Sequence, residues 1–289
     1  MTVKKNTYTR RRNRRKRGLT PAAKTVLIIS VVFIAIGFFA YAAENNWFGG
    51  NAEKYSGDIA ELYKVAVPDD VCEEIVNYTG FTVSFNPEHH IPNYVVWELS
   101  GDETDGKEPR YNKFSADDDV SGCPTLDDYR NSGYDRGHMA PAADMKWDRQ
   151  AMIDSHYLTN ICPQTHSLNG GAWASLENKC REWARRDSAI IIICGPVLTD
   201  RIPRHIGDSE VSVPERFFKV ILSPFSEPVR GIGFIMPNGT VAGGMQKAAV
   251  SIDEVEAITG YDFFSSLPDE IENEVESQAN FNQWNRRRK

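Results

Sequence analysis

Two common features are absent from this sequence of 289 residues, and each absence narrows what the chain can be. The sequence contains no internal repeat, which argues against a repeat architecture. None of its cysteines stands in a CxxC pair, which argues against a structural zinc site. Because the cysteines number five, at least one thiol is free or pairs with another chain, and the sequence does not reveal the pairing. The five are Cys72, Cys123, Cys162, Cys180 and Cys194.

Acidic residues are absent before Glu44, whereas ten lysines and arginines precede it. Those residues contribute +10 to a net charge of −7, so residues 44–289 carry −17. An acidic domain repels nucleic acid at long range. Binding to a polyanion therefore requires a local basic site or a bound metal ion.

Charge is also absent from residues 25–43 (TVLIISVVFIAIGFFAYAA). As a helix this run would be about 28 Å long, close to the thickness of a bilayer core. The basic residues before it should stay in the cytoplasm. This pattern predicts a single-pass membrane protein whose main domain is extracytoplasmic, either periplasmic or extracellular. Ala40-Tyr41-Ala42 also fits a signal-peptide cleavage site, in which case the domain would be secreted.

Changes in composition divide the chain into five predicted parts. A basic cytoplasmic segment precedes a membrane anchor, a linker, the main domain and an acidic-to-basic tail. Their bounds are 1–24, 25–43, 44–70, 71–270 and 271–289.

Short strand signals, separated mostly by loops, dominate the main domain. They lie at Thr79–Phe85, Tyr94–Leu99, Tyr157–Cys162, Ser188–Cys194, Phe217–Leu222 and Val229–Met236. Helical spacing predicts one helix over Leu168–Arg186, and Ser251 caps a second that ends at Thr259–Gly260. Strands with few helices indicate an α+β fold, with a largely antiparallel central sheet flanked by helices.

The segment GYDRGHMAP, residues 133–141, has the most chemical content. Gly137 permits backbone where a Cβ would clash. Arg136 offers a planar fork of donors that fits phosphate oxygens. His138 has an ordinary pKa near neutrality, so it can accept a proton from water. Taken alone, the segment could equally be a surface turn.

Polar residues at regular spacing follow this segment. Asn160 lies on a predicted strand, and Asn169, Trp173, Glu177 and Arg181 succeed one another at intervals of four. On a helix this spacing places the last four along one slowly turning face. Each also has an ordinary interpretation: Asn169 as a helix cap, Trp173 as core, and Glu177 with Arg181 as a surface ion pair.

The ordered set resembles the sugar-non-specific DNA/RNA endonuclease family. The specific segments are GYDRGHMAP and the NxxxWxxLE pattern of residues 169–177. The similarity covers roughly Glu73–Leu267, including Ile91–Trp97 and Thr259–Phe264. It implies a ββα-metal catalytic motif.

The resemblance also implies a role for each candidate residue. His138 is the general base, and Asn169 is the direct protein ligand of one divalent cation, Mg²⁺, for which Mn²⁺ can substitute. Glu177 would hold water molecules of the metal, and Asn160 would support the site. A neutral amide oxygen suits Mg²⁺, which prefers hard oxygen ligands and keeps several waters.

The phosphate of the substrate is expected to bind Arg136 and Arg181, with Asp135 beside them. The family carries a further arginine upstream, for which Arg110 is the candidate and Lys113 the alternative. Such contacts allow local binding despite the acidic surface, with strong salt dependence and little base selectivity.

The sequence therefore predicts a metal-dependent endonuclease that cleaves DNA and RNA to 5′-phosphate ends. One alternative keeps the site but acts on another phosphodiester polymer. The other is a catalytically silent nucleic-acid-binding module, against which the presence of both His138 and Asn169 argues. Members of the family are often dimers, which makes a homodimer one possible state, but the sequence leaves the oligomeric state open.

Overall fold

A computed structural model describes Tyr55, residues 57–198 and residues 203–285 of the chain. The predicted basic segment and membrane anchor, residues 1–43, lie outside the described residues. Within the described ranges, no helix is both long enough and apolar enough to cross a membrane.

Seven antiparallel strands form the central sheet. The strands are β2 (Glu74–Asn77), β3 (Thr82–Asn86), β4 (Ile91–Ser100), β7 (Ala189–Val197), β10 (Arg216–Ser223), β11 (Arg230–Pro237) and β12 (Ala249–Val250). They lie side by side in the order β12-β11-β10-β7-β4-β3-β2. The predicted α+β class and antiparallel sheet are confirmed.

The middle strand β7 (AIIIICGPV) is buried throughout, because both faces of the sheet are covered. Alternate side chains point to opposite faces of a strand. Ile192 and Cys194 therefore join one hydrophobic cluster, which we call the first core, with Met139 and Trp173. Ile191 and Ile193 join another hydrophobic cluster on the other face, which we call the second core.

A smaller antiparallel pair covers the first core. Strand β5 (Asp135–His138) pairs with β6 (Ile161–Gln164), and helix α3 (Ala174–Asp187) follows. The strand predicted over Tyr157–Cys162 starts later, because Leu158–Asn160 form a 3₁₀ turn. The helix predicted from Leu168 is broken, because Gly171 has non-helical backbone angles (φ −106°, ψ −113°). Leu168–Trp173 instead form a wider, π-type turn before α3.

Helix α4 (Ile252–Thr259) packs on the second core and has the predicted ends. Ser251 and Glu254 form a reciprocal capping box, and Gly260 ends the helix in the left-handed region (φ 74°). The remaining elements are β1 (Val65–Ala66), α1 (Leu126–Tyr129), α2 (Arg149–Asp154), β8 (Arg204–Ile206), β9 (Val211–Val213), β13 (Asp262–Phe263), α5 (Asp269–Glu276) and α6 (Phe281–Trp284).

Both segments next to the predicted main domain contain ordered structure. Ile59–Tyr63 form a 3₁₀ turn with Leu62 fully buried, and β1 pairs with β13. At the other end α6 buries Phe281 and Trp284 against the first core. These apolar side chains explain why parts of 44–70 and 271–289 fold with the domain.

Candidate active site

Strand β5 carries the DRGH segment and pairs along its whole length with β6, so that Gly137 lies opposite Cys162 and His138 opposite Ile161. The segment is therefore a strand rather than the turn that the sequence suggested. Gly137 is required by close approach, since a Cβ there would collide with the side chain of Gln164. Alternation along β5 places Arg136 and His138 on one face and Asp135 on the other.

His138 lies in an aromatic recess and is only 8% exposed. Its ring centroid is 5.2 Å from that of Phe114 and 5.1 Å from that of His156. Burial, together with His156, Arg110 and Arg136, holds the pKa of His138 well below its ordinary value. The imidazole is therefore neutral at neutral pH. Its Nε2 makes no hydrogen bond within the described part of the chain.

Asn160 fixes the backbone that follows His138. Its Oδ1 accepts from the Ala140 backbone N–H at 2.9 Å, and its Nδ2 donates to the carbonyls of Ala140 and Ser155, each at 2.9 Å. The Met139 N–H donates to the Asn160 carbonyl at 3.0 Å. Asn160 is fully buried, and all of these hydrogen bonds join it to backbone atoms.

Asp135 orients Asn169. The amide Nδ2 of Asn169 donates to Asp135 Oδ2 at 3.0 Å, and His166 Nδ1 lies 2.8 Å from the same oxygen. Because this bond fixes the amide group, it also fixes the direction of Asn169 Oδ1, an oxygen of the kind that could coordinate a metal ion. Asp135 was predicted beside the phosphate, but the structure places it against Asn169. Asn169 is not a helix cap, since its N–H donates to the Thr165 carbonyl at 3.0 Å.

Glu177 and Arg181 lie on α3 but do not pair with each other. Arg181 Nη1 instead contacts Asp144 Oδ1 at 2.5 Å, and its Nη2 donates to Asn178 Oδ1 at 2.7 Å. Asp144 is 1% exposed and also accepts from Trp97 Nε1 at 3.3 Å. A buried carboxylate therefore fixes the direction of the Arg181 guanidinium.

Glu177 is held near its titration point. Its pKa is raised to about 7, mainly by burial and further by Asp144, while the positive charge of Lys219 opposes the rise. Arg181 and Arg110 also lower it. Small changes in the surrounding charge therefore change how much of Glu177 is ionised near neutral pH.

Lys219, on β10, is a component of the site that the sequence interpretation missed. It is 0% exposed and shares a strand face with Phe217 and Ile221 of the first core. Its Nζ lies 4.4 Å from the ring centroid of Trp173 and 5.0 Å from that of Trp97. Aromatic faces attract a desolvated cation in this geometry. A single lysine within the apolar strand FFKVILS was the signal available in the sequence.

The charge of Lys219 is retained despite its burial. Burial lowers the pKa of its ammonium group, but the groups around it, Cys194, Cys180, Glu177 and Asp144, raise that pKa overall. All five cysteines of the chain are free thiols. The site thus has a buried positive charge whose influence reaches Glu177.

Arginines line the open side of the site. The Arg136 guanidinium lies 4.5 Å above the ring centroid of Phe114. Arg110, rather than Lys113, is the cation whose charge reaches His138, His156 and Glu177. A polar cleft of about 540 Å³ adjoins these groups and is lined by Phe114, Leu126, Tyr129, Arg130, Asn131, Tyr134, Asp135, Arg136 and Asn169.

The donor atoms here suit a hard divalent cation. The amide oxygen of Asn169 and the carboxyl of Glu177 are oxygen ligands of the kind that Mg²⁺ binds while it keeps several waters. Among the described residues, no group of three His, Cys, Asp or Glu side chains converges at this place. The residues therefore fit a largely hydrated ion rather than a closed protein cage.

A neutral histidine, an oriented amide oxygen and two arginines on one ββα unit are typical of one class of protein, the metal-assisted hydrolases of phosphodiesters. The chain belongs to the DNA/RNA non-specific endonuclease family, whose sequence model matches residues 59–270. The family assignment made from the DRGH and NxxxWxxLE segments is confirmed.

Individual relatives are similar over most of the same region. The mitochondrial nuclease EXOG of Danio rerio is 35% identical over 207 residues, which are 66% of this chain and 60% of the relative. Human mitochondrial endonuclease G is 31% identical over 222 residues, 72% of this chain and 74% of that protein. The chain thus spans about three fifths of the length of the EXOG relative.

A solved structure supports the fold. The crystal structure of the EndoG/EndoGI complex matches with a TM-score of 0.66 and 23% identity, over 74% of this chain and 94% of that chain. At this identity the likeness concerns the fold alone.

The predicted extracytoplasmic location is wrong. It is contradicted by relatives that are mitochondrial proteins, namely EXOG, endonuclease G and nuclease 1 of Schizosaccharomyces pombe, the last at 31% identity. The prediction relied on charge asymmetry around an apolar run. An arginine-rich, acid-poor N-terminus is also typical of mitochondrial targeting segments, so that asymmetry does not fix an orientation.

Proposed function

We propose that this chain is a Mg²⁺-dependent endonuclease that hydrolyses the backbone of DNA and RNA without reading bases or sugars. The observation that carries the proposal is His138, a buried neutral imidazole without a hydrogen-bond partner on Nε2, close to the charges of two arginines. A histidine with a lowered pKa remains a base throughout the neutral range. Its imidazole can therefore accept a proton without first having to lose one.

His138 removes a proton from water, whose oxygen attacks the phosphorus. The bond to the 3′ oxygen breaks, and that oxygen takes a proton from the solvent, which leaves a 5′-phosphate and a 3′-hydroxyl. Asn169 Oδ1 is the proposed metal ligand and Glu177 the carboxyl that orients water beside it. A bound divalent cation would supply positive charge that stabilises the transition state and the leaving oxygen. Mn²⁺, with similar ligand preferences, is expected to substitute.

Arg110, Arg136 and Arg181 are the proposed phosphate-binding residues. A guanidinium group donates two parallel hydrogen bonds to phosphate oxygens. The contact with Asp144 holds Arg181 in one direction, and stacking on Phe114 does the same for Arg136. Pre-oriented donors lose less conformational entropy when the substrate binds.

Asp135 and Asn160 have positioning roles in this proposal. Asp135 aligns the metal-binding amide of Asn169, and Asn160 holds the chain directly after the base. Residues that orient a ligand commonly affect metal affinity without touching the metal.

The proposal is tested by incubating the full-length protein with plasmid DNA and with RNA, in Mg²⁺ or in EDTA. Both substrates should be degraded in Mg²⁺ and neither in EDTA. A panel of other phosphodiester polymers, assayed in parallel, tests the alternative substrate. Degradation of that panel with DNA and RNA left intact, or cleavage unaffected by EDTA, would contradict the proposal.

The oligomeric state is open, and the predicted domain limits remain predictions. Light scattering on the purified protein measures the first, and limited proteolysis measures the second. A monomer at micromolar concentration would rule out a stable dimer.

A further inference from the structure

A second group of acidic side chains lies on the opposite face of the central sheet from His138, where α4 meets α5. Ile252 and Val255 of α4 and Val275 of α5 belong to the second core. Met139 and Trp173, which flank the candidate active site, belong to the first. The acidic group is therefore separate from Asn169 and the proposed catalytic metal.

Three carboxylates from two helices converge at this place. Asp253 and Glu256 are one helical turn apart on α4, and Glu276 is the last residue of α5. One oxygen from each lies within 4.8 Å of the others. None of the three is in a salt bridge within the described part of the chain.

The surroundings of Glu276 indicate that these carboxylates require a bound proton or cation. The residue is 7% exposed, and its Oε1 is buried without a hydrogen-bond partner in the described ranges. Its neighbours Glu256, Glu272, Asp253 and Asp262 surround it with further acidic groups. The C-terminal end of a helix is also unfavourable for an anion. A buried carboxylate in this setting needs a proton or a cation.

We propose that Asp253, Glu256 and Glu276 bind a divalent cation, and that Ca²⁺ is the ion best suited to them. Calcium takes six to eight oxygen ligands at about 2.3–2.6 Å, so oxygens on opposite sides of the ion are about 5 Å apart. The spacing of these carboxylate oxygens falls within that span. Because Asp253 is exposed, water can complete the coordination shell.

Glu256 keeps one carboxylate oxygen available to bind an ion. Glu256 Oε1 accepts from the Phe263 N–H at 2.9 Å, so its other oxygen, Oε2, is the ligand atom. The ion would neutralise Glu276 and fix α5 to α4. Its effect is therefore on the stability of the C-terminal helices and not on phosphodiester chemistry.

The test measures Ca²⁺ binding and thermal stability of the full-length protein after removal of metals with EDTA and dialysis. Four variants accompany the wild type: Glu276→Gln, Asp253→Asn, Glu274→Gln and Asn169→Ala. Glu274 is the matched control, because it is an exposed acid on the same helix, outside the group. Asn169→Ala removes the proposed catalytic ligand, so any Ca²⁺ effect that remains arises elsewhere.

Calcium at 100-fold excess over its Kd should raise the Tm of the wild type, Glu274→Gln and Asn169→Ala proteins by about 5 °C or more. In Glu276→Gln and Asp253→Asn, the Kd should increase at least tenfold and the rise in Tm should shrink accordingly. The surface variant Asp253→Asn keeps the test decisive if Glu276→Gln folds poorly. An unchanged wild-type Tm, a rise abolished by Asn169→Ala, or equal rises in all five proteins would overturn the proposal.

Discussion

The pair formed by Arg181 and Asp144 permits a quantitative test of how the site is built. Arg181→Met would leave the Asp144 carboxylate, which is 1% exposed, without its cation. Breaking a buried ion pair from one side costs about 3–5 kcal/mol. The lower end applies here, because the charge of Lys219 and the N–H of Trp97 still reach Asp144. We therefore expect a loss of about 3 kcal/mol in the free energy of unfolding.

The converse substitution should cost much less. Asp144→Asn keeps the shape of the side chain and removes its charge, while Arg181 retains its bond to Asn178 and reaches water. We expect a loss of about 1 kcal/mol. The double variant should lose about 1.5 kcal/mol, since no unpaired charge stays buried. The resulting coupling energy between the two positions is about 2.5 kcal/mol.

Urea unfolding of the four proteins, followed by tryptophan fluorescence, measures this cycle. For a domain of this size the Tm of Arg181→Met should fall by roughly 6–12 °C. The Lys179–Glu182 pair on the outer face of α3 is the matched control, with an expected coupling below about 0.5 kcal/mol. Additive losses at Arg181 and Asp144 would refute the argument that the buried carboxylate holds the arginine.

Two further predictions concern the ionisation and orientation of metal-binding groups. Asp135→Asn should raise the Mg²⁺ concentration for half-maximal cleavage by about 10- to 100-fold, because the amide of Asn169 loses its charged acceptor. An unchanged Mg²⁺ titration would contradict this role of Asp135. Lys219→Met should raise the pKa of Glu177 above about 7 and move the acidic limb of the pH–rate profile upward. If that pKa rises from about 7 to about 8, the ionised fraction of Glu177 at pH 7 falls about fivefold. A pH–rate profile of Lys219→Met that superimposes on that of the wild type would contradict this influence of Lys219.

The pH dependence of stability has a definite sign at Glu177. Its pKa in the folded protein, about 7, lies above the unfolded value near 4.5. Protonated Glu177 therefore favours folding below about pH 4.5, and this contribution is lost as the pH rises through 7. Lys219 lowers the folded pKa, so it reduces the penalty for ionising Glu177 at neutral pH.

Local patterns in the sequence predicted much of the fold. The apolar run of β7 identified a strand covered on both faces, and Ser251 with Gly260 marked both ends of α4. These features depend on residues close together in the chain. The pairing of β1 with β13 was missed, because it joins two-residue strands that are far apart in sequence, Val65 with Phe263.

The sequence suggested the residues of the proposed site, but it did not suggest the contacts that support them. The DRGH and NxxxWxxLE segments identified His138 and Asn169 through a family resemblance. Asp144 lies 37 residues from Arg181 in sequence, and nothing near either residue indicates their contact. For Lys219, strand alternation gives the face that it shares with Phe217 but not that Trp173 covers it.

In the segment before α3, the helical spacing of the side chains predicted a regular helix that does not form. Spacing of four placed Asn169 and Glu177 on one helical face, but the non-helical backbone at Gly171 interrupts that face. Glycine has low helix propensity because it loses the most conformational entropy on folding. The Gly170-Gly171 pair was the available signal that the regular helix begins later.

The central claim is that His138 acts as the general base, and the rate of plasmid cleavage by His138→Ala at saturating Mg²⁺ tests it most directly. Removal of a general base lowers a rate by about 10²- to 10⁴-fold. The exposed His205→Ala should cleave at the wild-type rate, and circular dichroism should show all three proteins folded. His138→Ala should therefore lose at least about 100-fold in cleavage rate. Cleavage by folded His138→Ala within tenfold of the wild-type rate would contradict it.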